Sequence, residues 1–393
     1  LPGLALGTTP VGTVNVADPN LRFPQVWRAT LAYDRKLPFD LIATVEGYYS
    51  QSVNDLFYTD ANLRIPSDTA RDLNGRVLYG SIGANGVPSP SFVTSLVPRA
   101  IRISNQSENY QYGATAQLRK VFSYGWEATA AYTYQRSFSV TDLTSSVALS
   151  NWQFGRVYSG AQTATNVDVS AFDQPHRVLL AGTWTTPFKS APTAISFIYS
   201  WQSGTPFAYI PIAGATGSAD LNADGSNAND PIFIPTDARD PNQMRFTPLT
   251  VGGVTYTPAQ QADAFDRFIS GDECLNSQRG QIMKRNSCRN PSFAQMDISV
   301  RQSLPKWFGQ NLALEFQVFN FLNALNPDWG KVRSAGANPQ VGLINHTGNT
   351  VTGNIRTSQP TFTFNPTNLT NRYPTLVNVG GFWRSQIGIR YSF

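Results

Sequence analysis

Short turns alternate with long polar stretches along this chain, and the segments between them change from apolar to polar at every second residue. That pattern permits few folds. Period-two alternation marks a β-strand with two different faces, and nine such segments are legible. The first four run near 24–35 (Trp27, Ala29, Leu31, Tyr33 on one face), 40–58 (Leu41, Ala43, Val45, Gly47, Tyr49), 108–121 (Tyr110, Tyr112, Ala114, Ala116, Leu118) and 125–138 (Trp126, Ala128, Ala130, Tyr132, Tyr134). Four more run near 176–186 (Val178, Leu180, Gly182, Trp184), 193–202 (Ile195, Phe197, Tyr199, Trp201), 293–303 (Met296, Ile298, Val300) and 311–322 (Leu312, Leu314, Phe316, Val318). The ninth, 382–393, closes the chain with Ile387, Ile389, Tyr391 and Phe393 on one face and Gln386, Gly388, Arg390 and Ser392 on the other.

The connections sort into two kinds. Turns such as Lys36-Leu37-Pro38-Phe39, Phe122-Ser123-Tyr124 and Pro187-Phe188-Lys189-Ser190 join the members of each pair, and 59–107, 139–175, 203–292 and 323–380 lie between pairs. A soluble sandwich does not separate its connections in this way. A membrane barrel does, because short turns lie on one side of the bilayer and long loops on the other. In lipid every backbone group must be paired, so a sheet survives there only if closed. Each short turn also carries aromatics, among them Phe39, Phe122, Tyr124, Trp126, Phe188, Trp307 and Phe308, at the level where rings sit in the headgroup zone. The fold expected is therefore all-β, an antiparallel transmembrane β-barrel with long extracellular loops, of which this chain supplies about nine strands.

Composition narrows the alternatives. A mean hydropathy of -0.25 and the lack of an apolar run near ~18 residues exclude a spanning helix but not a barrel, whose strands are half polar. The net charge of +5 is scattered, without the basic stripe that nucleic-acid binding requires. The residues after Leu1 do not read as a leader, so under the barrel reading the chain is expected to be mature, cleaved or a piece of something longer. If the final strand ends on the periplasmic side, the first also runs downward, and residues 1–23 belong to a surface loop remnant. Nine up-and-down strands cannot close an even-numbered barrel, so the chain is expected to be a piece whose first strand leaves an edge for a missing amino-terminal segment.

Three stretches, Phe23-Pro24-Gln25-Val26-Trp27-Arg28, Phe172-Asp173-Gln174-Pro175-His176-Arg177 and Glu315-Phe316-Gln317-Val318-Phe319-Asn320-Phe321-Leu322-Asn323, resemble the barrel of TonB-dependent outer-membrane transporters, most nearly the Oar-like branch. The likeness covers residues 1–393 as the carboxyl-terminal barrel portion of that family, with no plug domain, TonB box or carboxypeptidase-like extension. It implies a 22-stranded barrel around a plug, energised through the TonB complex. The terminal strand, with Ile387, Ile389, Tyr391 and Phe393, resembles the signal read by the barrel assembly machinery.

Candidate sites lie in the loops. Asp220, Asn222 and Asp224 stand at alternate positions before Gly225, with Asp230 following and Pro231 where an EF-hand has its Glu. Two readings stand: a calcium loop, or an Asx-turn loop bonding its own backbone. A similar loop in Oar-like proteins favours the ion. Cys274 and Cys288, in the large extracellular loop 203–292, read as a disulfide in an oxidising exterior, worth ~3 kcal/mol in the chain-entropy model. Arg279, Lys284, Arg285 and Arg289 make that loop basic, as a solvated face or as an anion site. Thr257-Pro258-Ala259-Gln260 predicts a capped helix start, anchored by Phe265, Phe268 and Ile269.

Catalysis has little support. His176 and His346 stand apart from any metal spacing or nucleophile, and Glu46, Glu127, Asp297 and Glu315 fall on polar strand faces. The chain is read as a non-enzyme with outer-membrane lipid as its solvent: either an importer of an unidentified substrate, or a surface adhesion or scaffold barrel whose loops bind polymers or cells.

Overall fold

All nine alternating segments form strands: β1 (Gln25–Leu37), β2 (Leu41–Asp60), β3 (Tyr110–Ser123), β4 (Trp126–Ser139), β5 (His176–Thr185), β6 (Thr193–Gln202), β7 (Phe293–Ser303), β8 (Asn311–Phe319) and β9 (Arg384–Ser392). The computed structural model describes residues 12–64, 71–214, 218–305, 311–350, 359–367, 372–373 and 381–392. Each strand pairs antiparallel with its successor. β1 and β9 are the outer strands of this sheet, which is not closed among the described residues.

Register keeps the two faces separate across the whole sheet. Tyr49 stands opposite Tyr112, Leu180 opposite Tyr199, Phe197 opposite Ile298, and Phe316 opposite Ile387. A slip of one residue anywhere would place polar groups among them. The hairpin turns fit this pairing. Tyr124 (φ 52°) and Gly125 (φ 83°) sit between the paired Ser123 and Trp126, the two positive angles that a tight type I′ turn demands.

β2 decides where the membrane ends. Leu41–Gln51 pair with β3, whereas Asp55–Asp60 pair with Ala100–Gln106. At roughly 3.3 Å per residue its 20 residues run about 65 Å, about twice the ~30 Å hydrocarbon core. The upper half therefore stands in water and carries other structure. Within the segment expected to be a loop remnant, Val14–Ala17 pairs in parallel with Ala100–Ile103 on that extension, while residues 1–11 lie outside the described set.

The long connections fold into a cap with its own packed interior. One cluster unites Phe207, Tyr209, Ile232, Ile234, Phe265, Phe268, Ile344 and Phe364; a second unites Leu63, Val77, Tyr79, Ile101 and Trp152. This corrects the reading of these stretches as merely polar. Their apolar residues follow no period, yet they are the buried ones. A mixed sheet orders Arg245–Phe246, Gln359–Thr363, Gln340–Thr350, Pro206–Ala213 and Cys288–Arg289, and the helices α1 (Ala148–Phe154) and α2 (Pro258–Ser270) complete the cap. α2 starts as expected, with Thr257 and Gln260 forming a reciprocal capping box.

One strand boundary differs from expectation. β8 stops at Phe319 rather than near 322, because Asn320 takes a left-handed conformation (φ 51°) and Phe321–Leu325 turns into a short helix. Asn is among the few side chains that tolerate that region.

Candidate functional site

The alternating apolar face is uncovered. Leu31, Ile387 and Ile389 are 80 %, 78 % and 72 % exposed, and Tyr33, Val45, Tyr132, Trp184, Leu314 and Tyr391 share that face. In water such a surface would far exceed the apolar patches that soluble proteins tolerate. Trp126, at a short turn, and Tyr134, toward the cap, both lie on it. Eight residue steps separate them, a span of ~26 Å, matching an apolar band of ~25 Å bounded by aromatic girdles. Phe39, Phe122, Tyr124, Phe188 and Trp184 ring the short-turn end, and Lys120 places its ammonium 5.2 Å above the Trp126 ring. Trp307, Phe308 and the terminal Phe393 lie outside the described residues.

The opposite face is a polar ladder. The Tyr48 hydroxyl donates to Gln135 at 3.3 Å, Thr115 meets Thr133 at 3.0 Å, Thr183 meets Ser196 at 3.0 Å, and Arg301 pairs with Glu315 at 3.6 Å. It carries two hollows. One of about 510 Å³ near the short turns is lined by Gln117, Arg119, Glu127, Thr129, Thr183 and Ser196. Another of about 540 Å³ lies where this face meets the cap, bounded by Arg28, Ser50 and Gln111 from the strands and Thr141, Asp142 and Ser170 from above. No motif announces the upper hollow, because its walls come from five separated segments.

The Asp220 loop is buried in the cap, with Asp220, Asn222, Asp224 and Asp230 at 3 %, 1 %, 0 % and 1 % exposure. Its oxygens largely accept hydrogen bonds from their own loop. Asp220 accepts the Gly225 amide (2.6 Å), Asn222 the Asp224 amide (2.8 Å), Asp224 the Ser226 amide (2.7 Å) and Asp230 the Leu221 amide (2.7 Å). Gly225 supplies the positive φ (81°) at the turn. Asp224 also accepts from Tyr158 (2.6 Å) and Asn229 (2.8 Å), and Asp230 pairs with Arg76 at 3.0 Å. Burial, and then the Asp224 and Asp230 charges, push the Asp220 carboxyl well above the usual range, and burial lifts Asp230 to about 7 against the pull of Arg76. The three carboxyls do not bring one oxygen each within 4.8 Å of one another. The loop as folded is an Asx-turn lattice, with the buried Asn229 Oδ1 lacking a partner.

The disulfide between Cys274 and Cys288 is present. The basic residues around it are not a solvated face: Arg279 ties α2 through Asp266 at 3.0 Å, Arg285 is buried, and Arg289 pairs with Asp173 at 2.6 Å. Only Lys284 is exposed. Asp173, within the Phe172–Arg177 motif, also holds Arg136 of β4 (3.2 Å) and the Ser137 amide (2.7 Å). His176 is structural, its Nδ1 2.7 Å from the Tyr132 hydroxyl. The two Asn of the Asn320–Asn323 motif staple the end of β8. Asn320 donates its backbone N–H to Asp297 (2.8 Å) and its side chain to the Gly330 carbonyl (3.0 Å), while Asn323 accepts from the Trp383 amide (3.1 Å) ahead of β9. The sequence marked these motifs as resemblances; their bonding explains them as junctions.

A wall with one lipid-compatible band, one polar face and a folded cap defines a membrane β-barrel protein. The sequence model of the outer membrane beta barrel domain matches residues 2–359, and the chain belongs to that family. Its place is the outer membrane. No curated protein matches the chain.

Proposed function

We propose that this barrel forms part of an active importer of the outer membrane, as its resemblance to TonB-dependent transporters implies, with the cap on the extracellular side. The carrying observation is the hollow of about 540 Å³ where the polar face meets the cap, a volume within the range of small-molecule sites. A solute entering there is held by Arg28, Gln111 and Asp142 and lies against the polar ladder below. A plug and further strands from an amino-terminal segment would cover that ladder and the β1 edge, TonB would supply energy, and the assembly machinery would read the final strand. The disulfide suits an oxidising exterior. The Asp220 loop is proposed as a calcium site: the ion would displace the Asn229 and Asn222 amide nitrogens from Asp224 and neutralise the buried carboxyls.

The test compares spent media from a wild-type strain and a strain lacking the gene, with and without a protonophore. Import predicts a solute depleted by the wild type alone and spared by the protonophore. Identical media together with lost attachment to cells or polymers would replace import by the adhesion reading.

A further inference from the structure

Inside the cap, between residues 156–168 and 282–285, lies a cleft of about 300 Å³ bounded by three cations, Arg156, Lys284 and Arg285, and one carboxylate, Asp168. Lys284, Ala161 and Asn166 are exposed at its mouth. Arg156 and Arg285 are buried, at 8 % and 5 % exposure. Their hydrogen bonds go mostly to backbone carbonyls: Arg156 donates to Ala164 (2.7 Å) and Gln162, and Arg285 to Ser139, Val140 and Asp168 (3.4 Å). Among the described residues neither guanidinium has a carboxylate within ion-pair distance, and Arg285 Nε has no partner at all.

Carbonyl dipoles orient a guanidinium without cancelling its charge, and a buried charge is costly unless it is paired. Stacking of Arg156 over the Phe57 and Tyr158 rings, 4.9 and 4.8 Å away, fixes its position but leaves the charge in place. The two cations also oppose each other. Burial, with the Arg285 charge adding to it, pushes Arg156 down to about 10, so it stays charged at neutral pH. Asp142, buried behind the cleft and sharing the Ser139 hydroxyl with Arg285, and Asp168 in its wall offset part of the positive charge.

We propose that this cleft binds a compact dianion of the phosphate class, free in solution, with Arg156 and Arg285 as its floor and Lys284 at its mouth. Planar guanidiniums present paired donors that match phosphate oxygens, and three cationic side chains lining one cleft suit a multiply charged oxyanion better than a monocarboxylate. The proposal is separate from the transport reading, since binding by the purified protein requires no transport.

The probe is inorganic phosphate, titrated calorimetrically into the intact protein in detergent at low chloride, with acetate as the monoanion control. One saturable site is expected, with acetate at least about ten-fold weaker. Lys284→Glu, at an exposed side chain while the bonds of Lys284 to Gln278 and Ser287 run through its backbone, should weaken phosphate by about ten-fold or more, the scale of one charge-assisted contact. Arg156→Gln should do the same if it folds, and Lys284→Glu decides alone if it does not. The absence of saturable binding up to about 10 mM, the weak end of specific recognition, or binding unchanged by Lys284→Glu, would overturn the assignment.

Discussion

Asp173 is the residue on which the junction of wall and cap turns. Its carboxylate is wholly buried, yet it sits between Arg289 from the disulfide-bearing loop and Arg136 from β4, and it also accepts the Ser137 amide. Arg289 donates in addition to the carbonyls of Asp173 (2.6 Å) and Gly204 (2.9 Å), so one guanidinium ties its own loop to two other chain segments. Removing the carboxylate leaves two cations and an amide without their acceptor, the costly way to break a buried pair. Asp173→Ala should destabilise the cap by about 3 kcal/mol, reduced from the fully buried case because both arginines retain some solvent. Chemical denaturation followed through the buried Trp152 measures this. A loss below about 0.5 kcal/mol, the range of ordinary surface substitutions, would show that the arginines hold the junction through carbonyls alone.

Among the elements, the Asp220–Asp230 loop carries the clearest conditional behaviour. Without an ion its carboxyls are satisfied by their own backbone, and their mutual repulsion remains. If the loop takes calcium as proposed, the ion should relieve that repulsion and protect residues 218–231 from proteolysis at millimolar concentration, the affinity range of extracellular calcium modules. Magnesium should protect far less, since it demands a tighter octahedral shell. Asp224→Asn should abolish the effect while leaving the disulfide and α2 intact. Equal protease sensitivity with calcium and with chelator would leave the loop as a turn and nothing more. The elements also show what the sequence made legible. The nine strands were readable to within a few residues, because facing lipid on one side imposes a period of two that local sequence must obey. α2 was readable because a capping box is a local bond pattern. The cap core was not: Phe207, Ile234, Phe265, Ile344 and Phe364 meet across more than a hundred residues of chain with no shared period. The upper hollow and the Arg156 cleft were hidden for the same reason, and of the cleft's residues only Lys284 and Arg285 drew notice, as members of a basic stretch.

For the whole molecule, the physics rests on which face meets hydrocarbon, and this can be tested by depth as well as by side. Midway between the Trp126 and Tyr134 levels, register aligns Ala130 with Leu180 and Leu180 with Tyr199, so Leu180 lies near the bilayer midplane. Leu180→Arg in the intact protein refolded into lipid vesicles should cost ~2–4 kcal/mol, the price of a guanidinium at the midplane of a barrel's outer face. Trp184→Arg, at the short-turn girdle, should cost less, ~0–1 kcal/mol for the added charge, beyond whatever the lost ring contributes equally in Trp184→Ala. Ser200→Arg, on the polar face one residue from the Leu180–Tyr199 level and paired with Leu179 and Gln295, should be tolerated to within about 1 kcal/mol, because water or polar neighbours receive it. Urea titration of folded protein in vesicles, read by tryptophan fluorescence, orders the three. A soluble two-layer fold would instead penalise Leu180→Arg and Trp184→Arg alike, with no dependence on depth and none on the presence of lipid, and that ordering would overturn the orientation of the wall.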